Sequence, residues 1–177
     1  MKKTILSAIL ILSAIAVMAQ EKTTKVKWYT IQEAEKLMNT TPRPLYIDTY
    51  TDWCIWCKRL DENTFTNDVI ADMLNKSFYP VKFNAEGKEE ITFMGKKFIN
   101  DGKFGQAHQL AVALLKGQLS YPTTVIFNVE NGKITLDPIP GYMEPKQLEV
   151  LLAYFAEKAY TSKSFDDFRK DFVSKIK

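Results

Sequence analysis

The stretch YIDTYTDWCIWCKRL, Tyr46 to Leu60, contains both cysteines of this 177-residue chain, Cys54 and Cys57. The residues before the pair, PLYIDTYT, are rich in aromatic and β-branched side chains and predict a strand. From Cys54 onward the sequence lacks Gly and Pro and favours a helix. Two cysteines at this spacing are compatible with a metal site, a haem attachment, a structural disulfide or a redox-active dithiol.

The neighbouring residues favour some of these alternatives over others. Haem attachment requires a histidine directly after the second cysteine, where this chain has Lys58. A structural zinc site needs four ligands, and the chain offers two cysteines and one histidine, His108, which we expect to be a polar surface residue on a helix. A copper site made by the two thiolates and His108 stays open. A disulfide across so short a loop stabilises a fold little, so a purely structural role is disfavoured.

A redox-active dithiol suits the position of the pair. At the start of a helix, the sulfur of Cys54 faces unpaired backbone N–H groups and the positive end of the helix dipole, and both favour the nucleophilic thiolate. Cys57 lies on the same helical face, where it can resolve a mixed disulfide formed by Cys54. Lys58 adds positive charge nearby.

The first nineteen residues show the three-part pattern of a secretory signal peptide. A basic start is followed by the uncharged run Ile5 to Met18, and small residues at Val17 and Ala19 suit cleavage before residue 20. The run is shorter than the roughly 20 apolar residues that span a bilayer. We therefore expect residues 1–19 to be removed and the mature protein to be periplasmic or secreted, without a stable membrane anchor.

Composition suggests one compact domain over residues 20–177. Removing the leader deletes Lys2 and Lys3 and no acid, so the formal net charge falls from +3 to +1. A nearly neutral domain does not favour nucleic acid or an anionic membrane as its partner. Hydrophobic residues make up 46% of the chain, which is enough for a single sizeable core.

The remaining segments predict alternating strands and helices, then a hairpin, a helix and an extra C-terminal helix. This order indicates an α/β fold with a mixed central β-sheet flanked by helices. The segments are a strand at Val26–Thr30, a helix with Thr30 and Glu33 as a capping box, a helix capped near Asn67, a strand at Tyr79–Glu86, a small hairpin turning near Met94–Gly95, a helix ended by Gly117, two strands joined at Asn131–Gly132, a helix with Pro145 near its start, and a last helix at about 163–176.

With these segments in place, the sequence resembles the thioredoxin superfamily over about residues 26–160. The signals are an aspartate six residues before the first cysteine, the motif Trp-Cys-x-x-Cys-Lys, and YPTTVIF, which is similar to the cis-proline segment of that family. The continuation LDENTFTNDVIADMLNKSFYPVKFNAE looks like the periplasmic branch that includes the C-terminal domain of DsbD-type electron carriers. The resemblance implies a thioredoxin-like fold with an insertion at 87–120, before the cis-proline.

The resemblance also implies roles for individual residues. Asp48 corresponds to a buried carboxylate that moves the proton of Cys57, and Lys82 to a lysine paired with it. Burial should raise the pKa of Asp48 toward the working range. The expected substrate-contacting residues are Trp53, Trp56, Tyr121, Pro122 and Thr123, with Pro122 in the cis form and Tyr121 presenting its backbone to a substrate strand.

The expected function is therefore that of an exported thiol–disulfide oxidoreductase acting on protein disulfides, with Cys54 as nucleophile and Cys57 as resolving residue. It needs no bound cofactor, because the Cys54–Cys57 disulfide carries the electrons, and a membrane electron donor is a possible partner. Ile55 and Trp56 between the cysteines include no histidine, which favours a reductase over an oxidase. A thioredoxin-like module that binds peptides without turnover is the main alternative.

Overall fold

A four-stranded mixed sheet lies at the centre of the computed structural model, which describes residues 24–177. The predicted signal peptide, residues 1–19, lies outside the described residues. The strand order is β2-β1-β5-β6, with β1 parallel to β2 and antiparallel to β5, and β5 antiparallel to β6. The predicted mixed sheet with helices on its faces is confirmed.

Helices connect the strands, and a short hairpin stands apart from the main sheet. The helices are α1 (Ile31–Thr40), α2 (Ile55–Arg59), α3 (Asp68–Ser77), α4 (Gln109–Leu114), α5 (Pro145–Ala156) and α6 (Phe165–Asp171), with a π-helical turn at Leu60–Thr64 and a 3₁₀ turn at Ala159–Thr161. The strands are β1 (Leu45–Tyr50), β2 (Tyr79–Asn84), β3 (Ile91–Phe93), β4 (Lys96–Phe98), β5 (Thr123–Glu130) and β6 (Lys133–Pro140).

The central strand β1 sends alternate side chains into two separate hydrophobic clusters. Leu45 and Ile47 join the cluster beneath α1 and α4, whereas Tyr46 joins the one beneath α3 and α5. Side chains of a strand alternate between its faces, so Asp48 lies on the same face as Tyr46. That cluster also contains Leu60, from the helical segment that follows the second cysteine. The sheet thereby places Asp48 beneath the segment that carries the cysteines.

Several local predictions are confirmed. Thr30 and Glu33 form the capping box of α1, and the Asn67 side chain accepts from the backbone N–H groups at the start of α3. The β5–β6 hairpin turns at Asn131–Gly132, where both residues have positive φ, as a type I′ turn requires. Short-range hydrogen bonding and turn geometry decide these features, which explains why the sequence predicts them.

Two predicted elements differ from the structure. The strand at Val26–Thr30 does not form; within it Tyr29 makes a single bridge to Val81. The helix expected at about 163–176 covers only Phe165–Asp171, after which the chain continues without helix.

The insertion at 87–120 packs against the sheet. Its β3–β4 hairpin turns at Met94–Gly95, as predicted, and contributes Phe93 and Phe98 to the cluster beneath α1 and α4. Phe93 lies with its ring centroid 4.9 Å from that of Phe127 on β5. None of the helices in residues 24–177 is long and apolar enough to cross a membrane.

Candidate active site

Cys54 and Cys57 form a disulfide at the start of α2, with their Cα atoms 5.3 Å apart. Cys54 is the N-cap residue of α2, and its sulfur accepts a hydrogen bond from the Cys57 backbone N–H at 3.1 Å. The same backbone N–H stabilises negative charge on this sulfur when the pair is reduced, because an N–H donor favours the thiolate over the thiol. The local geometry thus suits Cys54 as a nucleophile.

A buried ion pair lies beneath this segment. Asp48 is fully buried, and its Oδ2 atom accepts a hydrogen bond of 2.7 Å from the Lys82 ammonium. The same ammonium is bonded to the carboxylate of Asp61, in the π-helical turn. Lys82 therefore bridges a buried carboxylate and a surface carboxylate, whose side chain is 46% exposed.

Burial raises the pKa of Asp48 from its ordinary value of 3.8 to about 6, although the positive charge of Lys82 opposes the shift. For Lys82, burial favours the neutral amine, but the two carboxylates outweigh it and the pKa is raised. The lysine thus stays charged at neutral pH. Asp48 titrates close to neutrality, as a residue that both accepts and releases protons must.

Aromatic rings surround the remainder of the Lys82 ammonium. Its Nζ atom lies 5.3 Å from the ring centroid of Trp28, 4.9 Å from that of Tyr50 and 5.4 Å from that of Phe65. Cations within about 6 Å of a ring face are attracted by its negative electron density. These contacts add to the attraction that the two carboxylates exert on the charged ammonium.

Exposed aromatic side chains flank the disulfide. Trp53 is 63% exposed and Trp56 is 51% exposed. The Trp53 indole N–H donates to the Glu86 carboxylate at 3.0 Å, and its ring meets that of Tyr121 edge-on, with centroids 6.0 Å apart. Trp56 packs against Tyr142. An open depression of about 400 Å³ runs between Trp53, Trp56 and Tyr121.

The segment before β5 completes the rim of this depression. The Tyr121–Pro122 peptide bond is cis. Thr123 is buried, and its hydroxyl donates to the Ser120 carbonyl oxygen at 2.8 Å. The structure thus brings Trp53, Trp56 and Tyr121 together beside Cys54, whereas Thr123 supports the loop from beneath.

The expectation for His108 was wrong. Its side chain is fully buried and caps α4: Nδ1 accepts from the Leu110 backbone N–H at 3.0 Å, and Nε2 lies 2.9 Å from the Glu89 carbonyl oxygen. Both ring nitrogens are occupied by backbone groups, so this histidine is not available to join the cysteines around copper. Within residues 24–177, no group of three or more His, Cys, Asp or Glu side chains is arranged to hold a metal ion.

Sequence reasoning missed two residues at this site, Asp61 and Glu86. Asp61 follows Cys57 by four positions, the spacing that places two side chains on one helical face, and this signal could have identified it. Glu86 contacts Trp53 across 33 residues of sequence, so no local sequence pattern predicts this contact.

Comparison with known proteins agrees with this geometry. A family model described as a thioredoxin-like domain matches residues 31–156, which is most of the chain. The chain belongs to this thioredoxin-like family. The family's fold, combined with a Cys-x-x-Cys pair at disulfide distance, supports a thiol–disulfide oxidoreductase.

Relatives of this thioredoxin-like chain include much longer proteins. The thiol:disulfide interchange protein DsbD of Pectobacterium atrosepticum is 21% identical over 127 residues, which cover 71% of this chain and 19% of that protein. Spermatogenesis-associated protein 20 of Mus musculus is 25% identical over 108 residues, covering 60% of this chain and 14% of that protein. This chain therefore spans about a fifth or less of the length of these relatives.

Solved structures share the fold at low sequence identity. A thioredoxin from Thermus thermophilus has a TM-score of 0.58 at 14% identity, covering 85% of this chain and 99% of its own. A putative disulphide-isomerase from Bacteroides thetaiotaomicron has a TM-score of 0.52 at 20% identity, covering 81% of this chain and 99% of its own.

Proposed function

We propose that this thioredoxin-like chain is exported and reduces disulfides of proteins in the periplasm or outside the cell. The observation that carries the proposal is the Cys54–Cys57 disulfide at a helix start above the buried Asp48–Lys82 pair. In the reduced protein, the Cys54 thiolate attacks a substrate disulfide and forms a mixed disulfide. Cys57 then gives its proton to Asp48, attacks the Cys54 sulfur and releases the second substrate sulfur as a thiolate.

The exposed surface around the pair fits protein substrates. Trp53, Trp56 and Tyr121 offer apolar area on both sides of Cys54, and the backbone at Tyr121–Pro122 is available to an extended substrate segment. Neither Asp48 nor a dithiol is needed by a module that only binds peptides, so their presence favours turnover. No bound cofactor is required, because the disulfide itself stores two electrons.

The direction of electron flow is inferred from the residues between the cysteines. Ile55–Trp56 contains no histidine that would further stabilise the Cys54 thiolate, and a less stabilised thiolate means a more reducing pair. A reductase must be reduced again after each turnover, and we assign the role of donor to a membrane electron carrier, because an exported protein has no access to cytoplasmic reductants. The leader-like residues 1–19 support export.

The proposal is tested with the mature protein, residues 20–177. Reduced protein should reduce insulin disulfides, and Cys54→Ser should abolish this activity. Equilibration with glutathione should give a potential nearer to about −270 mV, as in thioredoxin, than to about −120 mV, as in DsbA. A potential at the DsbA end would overturn the direction. A pair that does not exchange with glutathione, with insulin reduction unaffected by Cys54→Ser, would leave a peptide-binding module as the function.

A further inference from the structure

We propose that Asp61 is the outlet for the proton that Asp48 receives, and that Lys82 passes this proton from one carboxylate to the other. The inference rests on the proposed function, since it takes Asp48 as the base for Cys57. Its basis is that one ammonium group bridges a fully buried carboxylate and a surface carboxylate.

Asp48 needs such an outlet because it has no contact with solvent. Its side chain is 0% exposed, and Oδ1 has no hydrogen-bond partner in the described part of the chain. Oδ2 is bonded to Lys82. During the resolving step the proton taken from Cys57 leaves Asp48 for the surface, because a proton that stays on Asp48 can return to Cys57 and reverse its deprotonation. The hydrogen bond to Lys82 is the polar contact through which it can go.

The exposure of the three side chains increases along the proposed path. From 0% at Asp48, it rises to 23% at Lys82 and 46% at Asp61. The path therefore leads from the buried carboxylate to water in two hydrogen bonds. Asp61 lies in the π-helical turn directly after α2, so the helix that carries the cysteines also positions the outlet.

The transfer balances without any further reactant. The ammonium of Lys82 gives one proton to the carboxylate of Asp61 while it receives the proton of the Asp48 carboxylic acid. Lys82 is an ammonium before and after the step, Asp48 becomes a carboxylate and Asp61 becomes a carboxylic acid, which then releases its proton to water. No electrons move, and the net charge of the three groups is unchanged.

Other groups that face the path do not offer a second outlet. Tyr46 and Tyr50 lie on the same strand as Asp48, and burial raises the pKa of each above its ordinary value of 10, so both phenols stay protonated at neutral pH. The Tyr46 hydroxyl is bonded to the Thr124 hydroxyl. The negative charge of Asp52 also raises the pKa of Tyr50. The Asp52 carboxylate accepts a hydrogen bond from the side-chain amide of Asn84.

Rapid mixing of the reduced mature protein with oxidised glutathione, at low buffer concentration and neutral pH, tests the relay. Asp61→Asn should slow the single-turnover rate at least about tenfold, because positioned proton transfer typically contributes 10²-fold or more. Lys82→Arg should slow it similarly: arginine keeps the positive charge and the ion pairs but does not give up a proton in proteins. Glu62→Gln removes an exposed acid from the same turn and should leave the rate unchanged.

Chemical rescue distinguishes proton transfer from a structural effect. In Asp61→Ala, added formate should restore the rate in proportion to its concentration, because a small carboxylate can take the place of the missing side chain. A structural defect would not respond to formate. The same addition should have no effect on the unmodified protein.

The outcomes also separate the relay from the function on which it rests. If Asp48→Asn slows turnover but Asp61→Asn and Lys82→Arg do not, the relay is wrong and the proposed function stands. If Asp48→Asn has no effect either, Asp48 is not the base, and both the relay and that part of the proposed function are overturned.

Discussion

Asp48 and Lys82 occupy paired positions on the parallel strands β1 and β2, and the Lys82 ammonium lies 2.7 Å from the Asp48 carboxylate. A partner this close would normally hold the pKa of an aspartate low. Here the cost of burial is larger, so the pKa of Asp48 is raised to about 6. The pair therefore reflects a compromise, in which a buried acid is kept near the pH at which it can exchange protons.

This raised pKa predicts a pH dependence of stability. Between pH 3.8 and about 6 the folded protein binds a proton at Asp48 that the unfolded chain does not, so the free energy of unfolding falls as the pH rises through this range. A shift of about two pKa units corresponds to about 3 kcal/mol. Urea unfolding of the oxidised protein and of Asp48→Asn at pH 4 and pH 7 should show the variant gaining about 2 kcal/mol of relative stability at pH 7, because an unfolded aspartate is already partly ionised at pH 4.

The comparison between the two proteins isolates Asp48 from the other acids. Four other acids have lowered pKa values and are present in both proteins, so their contribution to the pH dependence of stability cancels; they are Glu33, Asp101, Glu130 and Asp167. The raised pKa of Lys82 contributes a constant stabilisation below its ordinary value of 10.5 and makes stability depend on pH only above that value. Equal stability differences at pH 4 and pH 7 would show that burial does not raise the pKa of Asp48.

A second prediction concerns the order of the two cysteines. Cys54 borders the open depression between Trp53, Trp56 and Tyr121, whereas Cys57 does not, so a substrate should reach Cys54 first. Cys57→Ala should therefore accumulate a stable mixed disulfide with glutathione, whereas Cys54→Ala should accumulate little. Mass spectrometry after mixing each variant with oxidised glutathione measures both amounts. A mixed disulfide that forms mainly in Cys54→Ala would reverse the assigned roles.

What the sequence could predict depended on how local each feature is. The capping box of α1 involves Thr30 and Glu33, which are three positions apart. The position of Cys54 as the N-cap of α2 follows from the local change from strand to helix. The thioredoxin-like resemblance supplied the longer-range pairing of Asp48 with Lys82. Asp61 completes that group: its spacing of four residues after Cys57 indicates a shared helical face, but no local pattern indicates that its carboxylate reaches Lys82.

The missing strand at Val26–Thr30 has a side-chain cause. The amide of Asn75 on α3 accepts from the Lys27 backbone N–H and donates to the Lys25 carbonyl oxygen, at 2.8 and 2.9 Å. It thereby takes the place of a neighbouring strand, and Tyr29 alone of this segment bridges to the sheet. Strand propensity in the sequence carries no information about such a distant amide.

A third prediction concerns the contact between Trp53 and Glu86. The indole N–H bond to the carboxylate holds an exposed tryptophan against Tyr121 beside Cys54. Glu86→Ala should raise the KM for insulin roughly fivefold, equivalent to about 1 kcal/mol, because the aromatic surface is no longer fixed in place. The rate with oxidised glutathione, which does not need that surface, should be unchanged.

Matched variants make this result specific. Glu86→Gln keeps an oxygen acceptor for the indole and should retain most of the affinity, and Glu89→Ala removes a nearby exposed carboxylate and should have no effect. An equal loss with insulin and with glutathione would show that Glu86 supports the dithiol itself and not the substrate surface.

A fourth prediction follows from the buried His108. Its two nitrogens satisfy the Leu110 N–H and the Glu89 carbonyl oxygen, so His108→Ala removes a helix cap and leaves a backbone carbonyl without its partner. The free energy of unfolding should fall by about 2 kcal/mol. His108→Asn preserves an N-cap acceptor and should lose about half as much. The potential measured against glutathione should be the same in all three proteins, because His108 takes no part in the dithiol chemistry.

The last prediction concerns a buried carboxylate on α5, far along the chain from the cysteines. Glu149 is 0% exposed, and its two oxygens are bonded to the C-terminal segment, one to the Ser174 hydroxyl and the other to the Lys175 backbone N–H at 2.7 Å. In the same segment, Ile176 packs against the cluster beneath α3 and α5. These contacts explain why the chain leaves helical geometry after Asp171: an extended course brings Ser174 and Lys175 to the carboxylate.

Deleting residues 173–177 should therefore lower the free energy of unfolding by about 3 kcal/mol, since a buried charge loses both of its donors and apolar area is exposed. In a Glu149→Leu background, which has no carboxylate to satisfy, the same deletion should cost only the apolar contribution of Ile176, about 1 to 2 kcal/mol. The two deletions and two parent proteins form a double-mutant cycle, measured by urea unfolding at neutral pH. Equal costs in both backgrounds would show that the segment is held by Ile176 alone and that its hydrogen bonds to Glu149 contribute nothing.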